Sequence, residues 1–105
     1  MFLEAKTFFW SDDKNRENLK NHGLTLQEAA PVFLDPFLVI RHDKAHSTVE
    51  ETRWKGIGVL GNDFLLAIIF TEEKENAIRL ISAREATKKE KEDYSENIRY
   101  IFGTK

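Results

Sequence analysis

The arrangement of apolar and polar positions along the chain predicts a sheet of several β-strands. Residues 64–70 are apolar at every position, so we predict a central strand that is covered on both faces. Residues 2–10 mix β-forming residues with Glu4 and Lys6, which is typical of an edge strand. Shorter apolar or alternating segments predict three further strands, at residues 37–40, 53–60 and 77–83.

Turn and loop signals separate these strands. Gly61-Asn62-Asp63 predicts a tight hairpin, and the charged residues 72–76 predict a second turn. Asp35-Pro36 is also a turn signal, and the polar residues 41–50 are predicted to form a loop.

The first helix is predicted to be unusually polar. Ser11 or Asp12 caps its start, because an oxygen there accepts backbone N–H groups left unpaired in the first turn. The helix runs to about residue 21 and ends at His22-Gly23, where glycine adopts the left-handed conformation. Leu19 is its only large apolar residue.

Capping boxes open the other two predicted helices, at Thr25 with Glu28 and at Thr87 with Glu90. Pro31 interrupts the second helix, where we expect a kink or an early stop. The front half of the third helix is charged and is expected to face water. Helical spacing predicts buried positions at Leu26, Ala29, Ala30, Phe33, Leu34, Tyr94, Ile98, Ile101 and Phe102.

The order β-α-α-β-β-β-β-α predicts an α+β fold, a small antiparallel sheet with helices packed on it. The length of 105 residues, without a linker or repeat, predicts one domain over residues 1–105. The longest apolar run is far shorter than the roughly 20 residues of a membrane helix. The first residues lack the pattern of a signal peptide, so we predict a cytoplasmic protein.

The residue types present exclude several chemistries. The chain contains no cysteine, which excludes disulfides, thiol catalysis and cysteine-ligated zinc. The spacing of the three histidines matches no metal site, and we expect neither a metal nor a cofactor.

Basic residues are concentrated near the start of the third helix. Residues 79–91 contain five basic and two acidic residues, although the net charge of the chain is −2. Arg79 and Arg84 would lie near a helix N-terminus, and guanidinium and free backbone N–H groups both suit a phosphate. A solvated surface has the same composition, so both interpretations stay open.

A second basic segment precedes the central strand. Strand alternation places Arg53 and Lys55 on one face, which suits an RNA backbone. Trp54 between them is suited either to stacking on a base or to the core. Glu50 and Glu51 are suited to acid–base work, or are ordinary loop charges. These residues alone indicate a small cytosolic α+β domain, and anion binding is one of the two interpretations that they leave open.

Four segments, in one order, resemble the BrnT toxin family. Residues 10–23 begin with an aromatic and acidic group and end in Lys-x-His-Gly. Residues 24–36 resemble the second helix of the family. His46-Ser47, Glu50-Glu51 and Arg53-Trp54 resemble its middle segment, and residues 79–90, followed by Tyr94, resemble its closing signature. The resemblance covers roughly residues 8–94.

This resemblance implies the toxin of a type II toxin–antitoxin pair, a small ribonuclease with a RelE-like fold. It implies metal-free RNA cleavage, in which the 2′-OH attacks the neighbouring phosphate, and growth arrest. It further implies neutralisation by a BrnA-like ribbon-helix-helix antitoxin, through which the complex contacts operator DNA. The alternative is a non-catalytic co-repressor that binds the antitoxin, and a third possibility is a structural domain unrelated to toxins.

The resemblance and the charge pattern together suggest roles for particular residues. Arg53, Arg79 and Arg84 are predicted to surround the phosphate, because fixed cations stabilise the charge that develops there. Glu51 is one candidate for the general base, and His22 is a second if it reaches the site. The alternative is that positioned cationic groups carry out the proton transfers.

Four further residues are assigned to the site or the substrate. Lys14 is predicted to reach the site from the first helix, together with His22. Lys88, Lys89 and Trp54 are predicted to contact the RNA.

Overall fold

A computed structural model describes residues 7–62 and 64–103. Within these residues, five strands form one sheet in the order β1-β5-β4-β3-β2, and three α-helices pack around it. The elements in chain order are β1 (Thr7–Phe9), α1 (Asp12–His22), α2 (Leu26–Ala29), β2 (Val39–His42), β3 (Trp54–Leu60), β4 (Phe64–Glu73), β5 (Ala77–Glu85) and α3 (Lys88–Ile101).

The sheet confirms the predicted α+β class and the central position of β4, with one exception to its antiparallel pairing. Strands β2, β3, β4 and β5 pair antiparallel, whereas β1 pairs parallel with β5. No hairpin joins β1 to its partner, and β1 packs against a distant segment of the chain: the Phe8 and Phe33 rings lie 5.1 Å apart. The predicted edge position of β1 is confirmed, and residues 2–6 of that prediction lie outside the described residues.

Local signals set most element ends. Ser11 caps α1 and Gly23 ends it with φ 69°, and both predicted capping boxes are present. The loop prediction for residues 41 and 42 is wrong, because β2 continues through them. Its start is delayed to Val39 because Asp35 accepts hydrogen bonds from the backbone N–H groups of Phe37 and Leu38.

Pro31 has the predicted effect on the second helix. Regular α-helix stops at Ala29, and residues 30–34 continue as a 3₁₀-helix. The prediction that Leu34 is buried is wrong: 83% of this residue is exposed. A 3₁₀ turn has three residues rather than 3.6, so Leu34 rotates out of the face that still buries Phe33.

Helix α1 docks through an asparagine rather than an apolar stripe. Asn18 is 3% exposed, whereas Leu19 is 51% exposed. The Asn18 amide nitrogen donates to the Ala83 carbonyl at 2.9 Å, and its amide oxygen accepts the Ala83 N–H at 2.8 Å. The side chain therefore pairs with β5 as a neighbouring strand would, beyond the segment of β5 that β1 covers.

The two faces of the sheet are covered by different helices. One face packs against α2 and the 3₁₀-helix, through a core that includes Leu26, Phe33, Leu66 and Phe70. The other face packs against α3 through a smaller cluster of Val39, Ile57, Ala86 and Tyr94. These last residues lie toward one end of the sheet, which leaves the other end of the same face to polar and charged side chains.

The rear half of α3 docks only in part. Tyr94 is buried and donates a 2.6 Å hydrogen bond to Asp35, and burial raises the pKa of its hydroxyl. Ile98 packs on the cluster, but the predicted burial of Ile101 and Phe102 is wrong, since 49% and 66% of these residues are exposed. Ile101 is the last residue of α3 and Phe102 is its C-cap, where Phe102 contacts the Phe37 ring at 5.6 Å but stays largely exposed. No helix of the described residues is long and apolar enough to cross a membrane.

Substitution of Gly58 in β3 is expected to destabilise the protein. A Cβ at this position would lie 2.8 Å from Val32 Cγ1 and 2.9 Å from Leu38 Cδ1. We therefore expect Gly58→Ala to lower the free energy of unfolding by about 1–3 kcal/mol, the usual cost of overpacking. Gly56→Ala is the matched control, because its Cβ would meet Phe70 at 3.4 Å. Equal urea midpoints for the two variants would contradict this expectation.

Candidate active site

Four basic residues lie on the face of the sheet that α3 packs against, near the N-terminal end of the helix. Arg53 immediately precedes β3, Lys55 pairs with Ile69 of β4, and Arg79 and Arg84 lie on β5. Strand alternation places Arg53 and Lys55 on this face. Arg79 and Arg84 are five positions apart, and the irregular register between Ile69 and Phe70 brings both to the same face. We call Arg53, Lys55, Arg79 and Arg84 the basic cluster. The predicted sharing of one face by Arg53 and Lys55 is thus confirmed.

Glu51 joins two arginines of the basic cluster. One carboxylate oxygen accepts from Arg53 Nε at 2.9 Å, and the other accepts from Arg79 Nη2. The hydrogen bond from Arg53 lowers the pKa of Glu51, and the charge of Arg79 adds to this effect. Arg79 Nε also lies 3.6 Å from Glu73, whose carboxylate accepts a hydrogen bond from Thr71. The network holds the two guanidinium groups at the surface.

Glu90 joins the other two members of the basic cluster. Its carboxylate accepts from Arg84 Nη1 and Nη2 at 2.8 and 3.0 Å, and from Lys55 Nζ at 2.8 Å. The hydrogen bonds from Arg84 hold the pKa of Glu90 far below its usual range, and the same contact raises the pKa of Arg84. The predicted exposure of the front half of α3 is wrong at this residue, which is 4% exposed.

Acid is expected to destabilise the protein through Glu90. Its folded-state pKa is lowered from an ordinary value of 4.5, so its ionised form stabilises the fold above that pH. This contribution is lost as the pH falls below 4.5 toward the folded-state pKa. In Glu90→Gln, the free energy of unfolding should therefore fall less steeply with acid than in the wild type. Urea titrations at a series of acidic pH values measure both slopes, and parallel slopes would contradict the assignment.

Lys14 and His22 lie in a separate groove. Together with Asn21, Ile81 and Ser82, they line a space of about 180 Å³ between α1 and β5. Lys14 Nζ lies 3.9 Å from Glu17. The groove opens beside Ser82, whose partner across the sheet is Ile69. The structure thus brings Arg53, Arg79 and Glu51 together, while Lys14 and His22 form a second group beside β5.

Trp54 points to the opposite face of the sheet. Its ring packs against the larger core and lies 5.5 Å from the His42 ring. It also borders a groove of about 440 Å³ that is lined by Glu50, Glu51 and Thr71 among others. Trp54 therefore packs on the core, as one of the two interpretations predicts, and stacking on a base stays a prediction.

Lys88 and Lys89 lie in the first turn of α3. Lys89 Nζ pairs with Asp93 at 3.1 Å and its side chain is 78% exposed. Lys88 borders a shallow groove along α3 with Lys91 and Arg99. Both lysines therefore flank the helix end that carries Glu90.

Two members of the site, Lys55 and Glu90, are not among the site residues that the sequence predicts. Strand alternation places Lys55 on the same face as Arg53 but does not indicate a contact with phosphate. The sequence predicts Glu90 as a capping residue alone, because its contact with Lys55 spans 35 positions and has no local pattern. Among the described residues, no three His, Asp or Glu side chains are grouped as metal ligands.

The arrangement is suited to a phosphodiester. Fixed guanidinium and ammonium groups bind phosphate oxygens and stabilise added negative charge. Glu51, within the same network, is a carboxylate that can accept a proton.

The comparisons agree with this chemistry. Residues 10–90 match a family model described as ribonuclease toxin, BrnT, of type II toxin–antitoxin systems. The fold is similar to the 1.1 Å crystal structure of the Brucella abortus ribonuclease toxin BrnT, with a TM-score of 0.62 and 25% sequence identity, over 79% of this chain and 100% of that chain. No curated protein matches the chain significantly. Since the family model spans most of the sequence, the chain belongs to the BrnT family of ribonuclease toxins of type II toxin–antitoxin systems.

Proposed function

We propose that the basic cluster is the site at which this chain cleaves RNA. The observation that carries the proposal is that two pairs of cations, each held by one carboxylate, lie on the same face of the sheet: Glu51 joins Arg53 to Arg79, and Glu90 joins Arg84 to Lys55. In the proposed reaction, the ribose 2′-oxygen forms a bond to the adjacent phosphorus. The general base takes the proton of the 2′-hydroxyl, the bond from phosphorus to the 5′-oxygen breaks, and the 5′-oxygen takes up a proton from water. The products are a 2′,3′-cyclic phosphate and a 5′-hydroxyl.

The arginines stabilise the charge on the pentacovalent phosphorus centre. Each guanidinium group offers a planar set of donors that matches two phosphate oxygens. The net charge of the chain is −2, so affinity for the RNA backbone depends on this local concentration of cations. Because fixed cations supply the positive charge, the proposed step requires no metal.

Glu51 is the proposed general base. Its lowered pKa keeps the carboxylate ionised near neutral pH, and it lies directly beside two of the phosphate-binding arginines. His22 is the second candidate, and it requires the substrate to extend into the groove beside β5. We assign Lys14, Lys88, Lys89 and Trp54 to contacts with the flanking nucleotides.

The family implies an antitoxin partner. We propose that the partner is a BrnA-like ribbon-helix-helix protein and that operator DNA is bound through it. We further propose that this chain forms one RelE-like domain and acts in the cytoplasm, where cellular RNA is available.

Expression of the chain without an antitoxin tests the proposal. Rapid growth arrest with discrete new RNA ends, mapped by primer extension, is expected for the wild type and not for Arg84→Ala. Arg79→Ala is the second variant. The partners of Arg79, Glu51 and Glu73, are half-exposed, so the substitution leaves no buried carboxylate without a partner. Normal growth with intact RNA, despite folded wild-type protein, would favour the non-catalytic co-repressor.

A further inference from the structure

Glu90 makes contacts beyond those that a helix cap requires. In the capping box of α3, one oxygen of Glu90 accepts the backbone N–H of Thr87 at 2.8 Å. Both oxygens also accept hydrogen bonds from Arg84, and one accepts from Lys55. The Glu90 side chain is 5% exposed, whereas those of Lys55 and Arg84 are 29% and 35% exposed. A buried carboxylate thus lies beneath two cations that reach the surface.

The capping box of α2 shows what a cap alone looks like. Glu28 occupies the same position relative to Thr25 and accepts the backbone N–H of Thr25 at 2.8 Å. Its side chain is exposed, and within the described residues its carboxylate accepts hydrogen bonds from Thr25 alone. Burial of a carboxylate is unfavourable unless it is paired. The burial of Glu90 therefore relates to its cations and not to the cap.

We propose that Glu90 is a positioning residue that fixes Lys55 and Arg84 side by side at the start of α3, and that Lys55 is an additional phosphate-binding residue of the ribonuclease site. This inference rests on the proposed function. An ammonium group has three N–H donors, and the contact with Glu90 uses one of them. Without the carboxylate between them, the two like charges repel and move apart.

The variant Glu90→Gln distinguishes a positioning role of Glu90 from an effect of its negative charge alone. The variant removes one negative charge from a site that binds a polyanion, so a charge effect alone would tighten RNA binding. Positioning predicts instead that kcat falls by about 10- to 100-fold, because small displacements of catalytic groups have effects of this size. Glu28→Gln is the matched control: it alters the equivalent cap, contacts no member of the basic cluster, and should leave cleavage unchanged. Glu90→Asp retains the charge and should recover part of kcat.

Lys55→Ala tests the second half of the proposal. With a 2′-O-methyl RNA that cannot be cleaved, affinity should fall by about 10-fold, the value of one charge-assisted hydrogen bond. The slope of log affinity against log salt should decrease by about 0.7 to 1, as expected for the loss of one phosphate contact. In the double variant Lys55→Ala/Glu90→Gln, the losses in kcat/KM should not add, since one residue acts through the other.

The outcomes separate this inference from the proposed function. Wild-type protein that neither binds nor cleaves RNA would overturn both. Wild-type cleavage with unchanged affinity and salt slope in Lys55→Ala, or with additive losses in the double variant, would overturn the inference alone. Circular dichroism and thermal unfolding accompany every variant. If Glu90→Gln does not fold, the RNA affinity and the salt slope of Lys55→Ala still test the inference.

Discussion

Replacement of Arg79 with alanine is expected to lower kcat/KM for RNA cleavage by about 100- to 1,000-fold. This is the usual cost of removing one preorganised donor from a site that stabilises a developing negative charge. Arg79 is joined to Arg53 through Glu51. Its replacement therefore removes one phosphate-binding residue and one of the two arginines that donate hydrogen bonds to the Glu51 carboxylate. The protein should remain folded, because the Arg79 side chain is 30% exposed and its partners reach solvent.

Steady-state kinetics on a short RNA, with protein separated from antitoxin, measure this effect. Arg16→Ala is the matched control, since Arg16 is an exposed arginine of α1 that pairs only locally with Asp13. Arg79→Lys should lie between the two, because it keeps the charge and loses the planar set of donors. If Arg79→Ala cleaves as fast as Arg16→Ala, the basic cluster is not the site of catalysis.

Asn18→Ala is expected to lower the free energy of unfolding by about 2–5 kcal/mol. The substitution leaves the backbone N–H and carbonyl of Ala83 without their partner, and each buried unsatisfied group costs about 1–3 kcal/mol. It also removes the hydrogen bond to the Leu24 carbonyl, which connects the end of α1 to the segment before α2. Helix α1 would then lose its main attachment to β5.

Urea unfolding of Asn18→Ala and Asn21→Ala provides the comparison. Asn21 lies in the same helix one turn later and is exposed, so its replacement should change stability by less than about 0.5 kcal/mol. Similar midpoints for the two variants would show that the pairing of Asn18 with β5 contributes little to stability.

Local patterns predicted the features of this fold whose causes are local. The two capping boxes act over three residues, and Pro31 acts on the helix that contains it, so both effects can be found without knowledge of the fold. The uninterrupted apolar run of β4 predicted its central position, because only a strand covered on both faces tolerates such a run.

Packing between distant segments decided the features that these patterns missed. Leu34 was predicted to be buried because α-helical spacing was assumed, and the tighter 3₁₀ turn moved it to the surface. The parallel pairing of β1 with β5 has no hairpin to signal it. Asn18 gives no sign of its role, since its partner Ala83 lies 65 positions away.

Some features of the candidate site also follow from the sequence, and others follow only from the tertiary structure. The sequence by itself determined which cations are present and, through strand alternation, that Arg53 and Lys55 share a face; with the family resemblance, it also indicated a ribonuclease. Only the tertiary structure decided that Glu51 joins Arg53 to Arg79, that Glu90 joins Lys55 to Arg84, and that Lys14 and His22 occupy a different groove. The physical reason is that an ion pair forms between side chains that the fold brings together. Sheet pairing and helix docking bring together residues that are far apart in the sequence, and such contacts produce no local sequence pattern.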